Sequence, residues 1–365
     1  MLANEFCPTE FDARAYVKKA KEWGMRYVTV TAKHHDGFAL YDSRVSDYTV
    51  MYTPYGKDII RQFADACAEE NMTFCVYYSQ MQDWEDPNGN GNTWDFDPEK
   101  QNFETYFYGK CVPQVRELLT EYGKIGMIWF DTPYDMPIHL CRELADVVRE
   151  CQPDCLINGR IGYGLGDYRQ MADNSIPAHA YTGAWEVPMT LNGSWGYSSF
   201  DANWAEPSEV IARLSAVAGK GGNLLLNIGP DRYGAIPAES VRILDEVGEW
   251  LKRNGESIYG TSVLPDFPYE IKWGNLTYRQ ADRVLYLHIK QYPKLTPRVS
   301  LLGLKTRVKS ARLLNTGEEL RFTQTYEVAR DEERFAVWIP EQCPDAVDTV
   351  VALTLMDDLD VQRLQ

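Results

Sequence analysis

Long apolar runs are missing from this chain: no stretch approaches the roughly 20 consecutive apolar residues that a membrane-spanning helix needs. The opening "MLANEFCPTE" also lacks the basic and apolar regions of a secretion signal. As written the protein is expected to be cytoplasmic, and secreted if an upstream segment is missing. Positive charge is scarce. With 37 Lys and Arg against 53 Asp and Glu, the net charge of −16 repels phosphate backbones and anionic lipid, so neither a nucleic-acid nor a membrane partner is expected. Paired cysteine spacing is absent as well. The eight cysteines are scattered, and the single close pair, "CQPDC" (151–155), reads as a helix end followed by a strand start and not as a zinc knuckle. Reduced thiols fit best. No G-x-G-x-x-G follows the first predicted strand, which removes the strongest dinucleotide signal, and no internal repeat or low-complexity tract is found.

What is abundant is aromatic: 23 Tyr and 10 Trp dominate a 13% aromatic content, in a chain that is 44% hydrophobic. Large core side chains explain most such residues, and platforms for the C–H faces of sugar rings are the sharper reading. The order of elements is regular. Helical patterns at 11–24, 58–71, 111–123 and 138–151 each lead into a short apolar run, at 26–33, 73–79, 125–131 and 155–160. Later, "PSEVIARLSAVAGKGG" precedes "NLLLNIGP" (223–230), "AWEVPMTL" (184–191) is an irregular strand candidate, and the helix "PAESVRILDEVGEWLKRNG" closes the series. Alternation at this spacing predicts a parallel sheet with crossover helices, a (β/α)8-like barrel over residues 1–260. From 261 to 365 short alternating runs divided by Gly, Pro and Asn predict an antiparallel β-sandwich.

Barrels place chemistry at the carboxyl ends of their strands. Those ends, read in order, carry His34, His35 and Asp36; Tyr77, Tyr78, Asp83 and Trp84; Trp129 and Asp131; Asn158 and Arg160; Trp185 and Glu186; and Asn227. The set of carboxylates, rings, imidazoles and one guanidinium, with no phosphate cradle and no serine elbow, suits a carbohydrate. Trp129 and Asp131 are two apart and so face the same side of their strand. A hydrogen-bonded structural pair is the plain alternative for His34 and His35. A shared metal ion is disfavoured, because adjacent strand residues face opposite ways unless the strand has already become loop.

Taken together, "KHHDGF" (33–38), "YYS" (77–79), "WFD" (129–131), "NGR" (158–160), "SWGY" (194–197) and "KGGNLLLNIGP" (220–230) resemble the retaining α-L-fucosidases of glycoside hydrolase family 29. The resemblance implies that Asp131 is the nucleophile, that His34 and His35 bind fucose hydroxyls, that Tyr77 and Trp129 line the ring, and that Arg160 sits beside the nucleophile. It implies an exo-acting hydrolase that needs no cofactor and no metal, acting on terminal α-L-fucose of glycans or glycosides through a glycosyl-aspartate intermediate. Retention calls for a second carboxyl about 5–5.5 Å away as acid/base. Relatives often carry a Glu past "GDY"; here "GDYRQMADN" has Ala172 at that place, so Asp173 is the first choice and Glu186 the second. Relatives also begin upstream with a first strand, so the barrel is expected to be incomplete at the N-terminus. A second copy of the chain, a shifted terminal segment or disorder is expected to fill that gap. A fucose-binding pseudoenzyme or truncated inactive fucosidase, and a metal hydrolase using His34 and His35, are the rival readings. Leaving-group preference is assigned to loops such as 81–97, whose "NGNGN" tip is expected to be mobile.

Overall fold

A computed structural model describes residues 2–363. The chain forms two compact units, one made of Met1–Gln170 with Pro230–Pro237 and the other of Met171–Gly229 with Ala238–Gln365. No described helix is long and apolar enough to cross a membrane.

The first unit alternates helix and strand: α1 (Ala13–Glu22), β1 (Tyr27–Lys33), α2 (Ile59–Glu70), β2 (Thr73–Tyr78), α3 (Phe103–Tyr106), α4 (Val112–Glu121), β3 (Met127–Phe130), α5 (Ile138–Cys151), β4 (Leu156–Ile157) and the two-residue β5 (Arg169–Gln170). Side-chain caps start the early helices. Asp12 accepts from the N–H groups of Arg14 and Ala15 at the head of α1, and Asp58 accepts from Arg61 at the head of α2. The α2 helix ends on Asn71 in the left-handed conformation that breaks a helical ladder. Strands β1 to β4 lie side by side in sequence order, with β1, β2 and β3 parallel and in register so that Thr31, Tyr77 and Trp129 form one row. Val17, Ile60, Phe63, Leu118, Phe130 and Leu144 form part of the core between the strands and the surrounding helices.

Three local departures from the expected pattern matter for the site. The strand predicted at 155–160 is only two residues long; beyond it, Asn158 receives the Phe130 N–H on Oδ1 and donates from Nδ2 to the Phe130 carbonyl, both at 2.9 Å. Its amide thus stands in for a ladder pair, and the chain leaves as a 3₁₀ turn, Gly159–Ile161, that carries Arg160. A register shift between Thr31 and Lys33 puts one extra residue into β1 just before the two histidines. Between α3 and α4, residues Phe107–Cys111 wind as a π turn and deliver Lys110 inward.

In the second unit, β6 (Trp185–Thr190) pairs in parallel with β7 (Asn223–Asn227), with α6 (Pro207–Gly219) between them in sequence and α7 (Ala238–Asn254) following. The antiparallel part has one sheet of β10 (Arg298–Leu302), β13 (Glu332–Trp338) and β12 (Phe322–Glu327), and another of β11 (Val308–Leu313), β14 (Thr349–Leu355), β9 (Val284–Ile289) and β8 (Gly274–Arg279). Leu285, Leu287, Phe335, Val337, Val351 and Leu353 belong to the core they share. Strand β9 is buried at every position because its other face is also covered: Trp250 of α7 lies 6.1 Å from the His288 ring and donates to the Asp348 carbonyl. The last residue of α6, Gly219, meets β8 so closely that a Cβ there would sit 2.2 Å from the Leu276 carbonyl oxygen. The described strands thus form a parallel α/β domain followed by an antiparallel two-sheet domain.

Candidate active site

Strand β3 ends at Phe130, and the next residue, Asp131, is buried where the strand gives way to loop. Four neighbours hold it. Its N–H donates to Gln80 Oε1 at 2.8 Å; Oδ2 accepts from the Tyr77 hydroxyl at 2.6 Å; Oδ1 accepts from Arg160 Nη1 at 2.8 Å and from the Thr132 hydroxyl at 2.9 Å. Thr132 does this from a backbone with φ of +42°, an unfavourable conformation for a β-branched residue, in a segment where Tyr134 is also at positive φ. Burial alone would raise the Asp131 pKa, but the hydrogen bonds from Tyr77 and Arg160, the guanidinium charge and Thr132 outweigh it and hold the carboxyl below its ordinary range. Asp131 is therefore ionised at neutral pH.

Around it runs a wall of stacked rings. His34 lies nearly parallel to Tyr77 at 5.3 Å, Tyr77 stacks on Trp129 at 5.3 Å, and the Arg160 guanidinium sits 4.8 Å from the Trp129 ring. The two histidines are not on the strand. Residues 34–37 form a turn closed by the Gly37 N–H on the His34 carbonyl, which lets neighbouring imidazoles converge, ring centres 4.1 Å apart. Gly37 is required there on two counts: φ is +83°, and a Cβ would lie 2.3 Å from Asp83 Oδ1. Ligand atoms of His34, His35 and Asp131 all lie within 4.8 Å of one another. That spacing would admit a metal ion, yet Asp131 already accepts from three donors, and Arg160 brings a positive charge to its other oxygen, Oδ1. A second cation there would share the carboxylate with the guanidinium.

The network also assigns the state of His35. Ser79, fully buried, gives its single hydroxyl proton to the Gln82 carbonyl at 3.0 Å and so accepts from His35 Nδ1–H at 2.7 Å. His35 Nε2 then carries a lone pair, facing Gln82 Nε2 at 3.4 Å and lying 3.5 Å from Asp131 Oδ2. Burial, with His34 beside it, pushes the His35 pKa down to about 4. Beneath the turn, Lys33 and Lys110 both approach Asp83 Oδ2 at 3.0 Å, and Lys33 also donates to the Tyr106 hydroxyl at 2.8 Å. Asp83, named from the sequence as a strand-end residue, is thus a fully buried clamp under the histidine turn.

The second unit carries the two other carboxyls expected from the sequence. Asp173 is exposed, in a turn whose next residue, Asn174, has φ of +54°, donates its N–H to the Pro188 carbonyl, and accepts from the Thr190 N–H at 3.0 Å. Its loop is thereby tied to the carboxyl-terminal half of β6. Glu186 is buried near the opposite, amino end of that strand, in register with Asn223, whereas Thr190 pairs with Asn227. Sequence reasoning did not find Gln80, Ser79 or Thr132. Gln80 is the most consequential: fully buried, it accepts from the Asp131 N–H and donates to the Arg160 carbonyl at 3.0 Å, joining the carboxylate's strand to the guanidinium's turn. Only the "YYS" run beside it pointed there.

A parallel α/β domain with an ionised strand-end aspartate, flanked by an aromatic wall, imidazoles and a guanidinium, has the character of a carbohydrate site on a barrel scaffold. The chain belongs to the alpha-L-fucosidase family, whose model matches residues 1–256. It is similar to the plasma alpha-L-fucosidase of Rattus norvegicus, with 30% identity over 292 residues that span 73% of this chain and 62% of that protein. Among solved structures it is similar to an alpha-L-fucosidase from Vibrio sp. strain EJY3 (34% identity, TM-score 0.91, 99% of this chain and 64% of that chain). It is also similar to alpha-L-fucosidase isoenzyme 1 from Paenibacillus thiaminolyticus (36%, 0.88, 97% and 89%). A Lactobacillus casei alpha-L-fucosidase solved with its alpha-L-fucose product is 38% identical with a TM-score of 0.67 over 70% of this chain and 83% of that one. The chain spans 55% and 62% of the length of its matched relatives from Caenorhabditis elegans and Rattus norvegicus.

Proposed function

We propose that this protein is a retaining exo-α-L-fucosidase that removes terminal α-L-fucose from glycans or glycosides. The observation that carries the reading is the Asp131 carboxylate, kept ionised by Tyr77, Arg160 and Thr132 and bordered by two neutral imidazoles. A charged, oriented oxygen beside groups that accept hydroxyl protons suits attack on an anomeric carbon. Asp131 forms the glycosyl ester while the glycosidic C–O bond breaks. A second carboxyl protonates the leaving oxygen and then takes a proton from the water that opens the ester. Asp173 is assigned that role ahead of Glu186. Its loop is tied to the carboxyl-terminal half of β6, whereas Glu186 is near the amino end, where barrels keep residues for stability. His34 and His35 take fucose hydroxyls, Trp129 and Tyr77 wall the ring, and no step calls for a metal or cofactor.

The test is hydrolysis of 4-nitrophenyl α-L-fucoside by the protein and by Asp131→Ala, with azide added to rescue the variant. Turnover should fall by about 10³-fold or more, and azide should restore it as the β-fucosyl azide, the inverted product that only loss of the nucleophile gives. An Asp173→Ala variant rescued as the α-azide would assign the acid/base. Equal activity in the protein and Asp131→Ala would refute the nucleophile assignment.

A further inference from the structure

The loop that leaves β2 carries two indoles that the chemistry at Asp131 does not use. Trp84 donates its main-chain N–H to the His35 carbonyl at 2.8 Å, and its ring lies 6.0 Å from the His35 imidazole. Trp94 meets Trp84 edge to face, 5.7 Å away at 71°. Both are exposed, Trp94 to 65%, an unusual place to leave so much apolar surface.

Nor is the loop slack. The buried Asn92 amide donates to the Trp84 carbonyl at 2.7 Å and accepts from the Trp94 N–H at 3.1 Å, so one side chain ties both tryptophan backbones. Gly91, at φ of +104°, closes on the indole so tightly that a Cβ would lie 2.5 Å from Trp84 Nε1. Asp83 N–H and the Asn90 carbonyl pair at 3.0 Å across the loop's neck. The "NGNGN" tip, expected to be mobile, is an internally bonded frame that holds two rings in place.

We propose that Trp84 and Trp94 form the subsite for the sugar of the leaving group, a neutral pyranose. The proposal rests on the fucosidase reading. In an exo-acting enzyme the fucose ends at Asp131, so the ring surface that continues outward from His35 meets the saccharide on the other side of the scissile bond. A pyranose presents a C–H face to such rings. Of the five acidic side chains between 84 and 99, Glu85 and Asp97 are paired by Lys110 and Lys100, and Asp86, Asp95 and Glu99 leave the loop net negative, which disfavours sialylated or sulfated leaving groups relative to neutral sugars.

Kinetics of Trp94→Ala and Trp94→Phe on two substrates test this. α-L-Fucosyl fluoride has no ring in its leaving group; a fucosyl-N-acetylglucosamine disaccharide does. Trp94→Ala should lower kcat/KM on the disaccharide about tenfold while the fluoride changes by less than about twofold, and Trp94→Phe should keep most of the disaccharide activity. Equal loss on both substrates, or loss on neither, overturns the subsite. No turnover of the fluoride by the unsubstituted protein would instead overturn the fucosidase reading itself, and the subsite with it.

Discussion

His35 is neutral because it is buried, and that has a measurable cost in acid. Its folded pKa of about 4 lies below the ordinary 6.5. Between those values the unfolded chain binds a proton that the folded chain refuses, so stability falls as pH drops from about 6.5 and levels off near 4. His34 shifts in the same direction. Asp131 is shifted below its ordinary 3.8, so its contribution is present above that value and lost only at still lower pH. The melting temperature should therefore be lower at about pH 5 than at about pH 7, with a smaller difference in His35→Gln. A difference of the same size in the variant would show that other groups dominate. Alternation along β3 made Trp129 and Asp131 legible as a pair, and that is a local property. Gln80, Ser79 and Thr132 were not legible, since the first two act on partners distant in sequence, and Thr132 brings its hydroxyl to Asp131 only from a positive-φ backbone. For the histidines, adjacency in sequence implied opposite faces; the strand's end at Lys33 and the turn after it reversed that.

At the level of elements, the histidine turn rests on a buried charge cluster drawn from three places: Lys33 ending β1, Asp83 in the loop after β2, and Lys110 in the π turn. Burial lowers the pKa of Lys33, whereas the two ammonium groups hold Asp83 below its ordinary value against burial. Two cations share one carboxylate, so removing it leaves both without their central partner. Asp83→Ala should cost about 3–5 kcal/mol in urea unfolding. It should also impair fucoside turnover, because the Asp83 carboxylate clamps Lys33, from which the histidine turn starts, and the next residue, Trp84, holds the His35 carbonyl through its main-chain N–H. A cost under about 1 kcal/mol would mean that water or Glu85 replaces the carboxylate. The π turn was not legible because the helical pattern read from the sequence starts only at 111, where the turn ends; the inward direction of Lys110 betrays the extra residue.

On the scale of the whole molecule, the change of rhythm near residue 260 marks where parallel topology gives way to antiparallel, whereas packing groups α6, α7, β6 and β7 with the strands that follow. Asn275 donates to the Ala212 carbonyl on α6, Thr277 to the Ser257 carbonyl, and Trp250 to the Asp348 carbonyl. A chain ending at residue 260 would strip these partners away and expose Trp250 and the covered side of α6. It should be insoluble or melt far below the full chain, as circular dichroism and size-exclusion chromatography would report; a monomer with an unchanged melting temperature would contradict this. Gly219 carries the point further. Because its hydrogen stands where any side chain would strike the Leu276 carbonyl, the end of α6 and the backbone of β8 are fitted to each other at a distance no substitution can restore. Recombination between relatives should therefore pass α6 and β8 on as a linked pair, and chimaeras that exchange the sandwich alone should survive selection only when they inherit both sides of that contact.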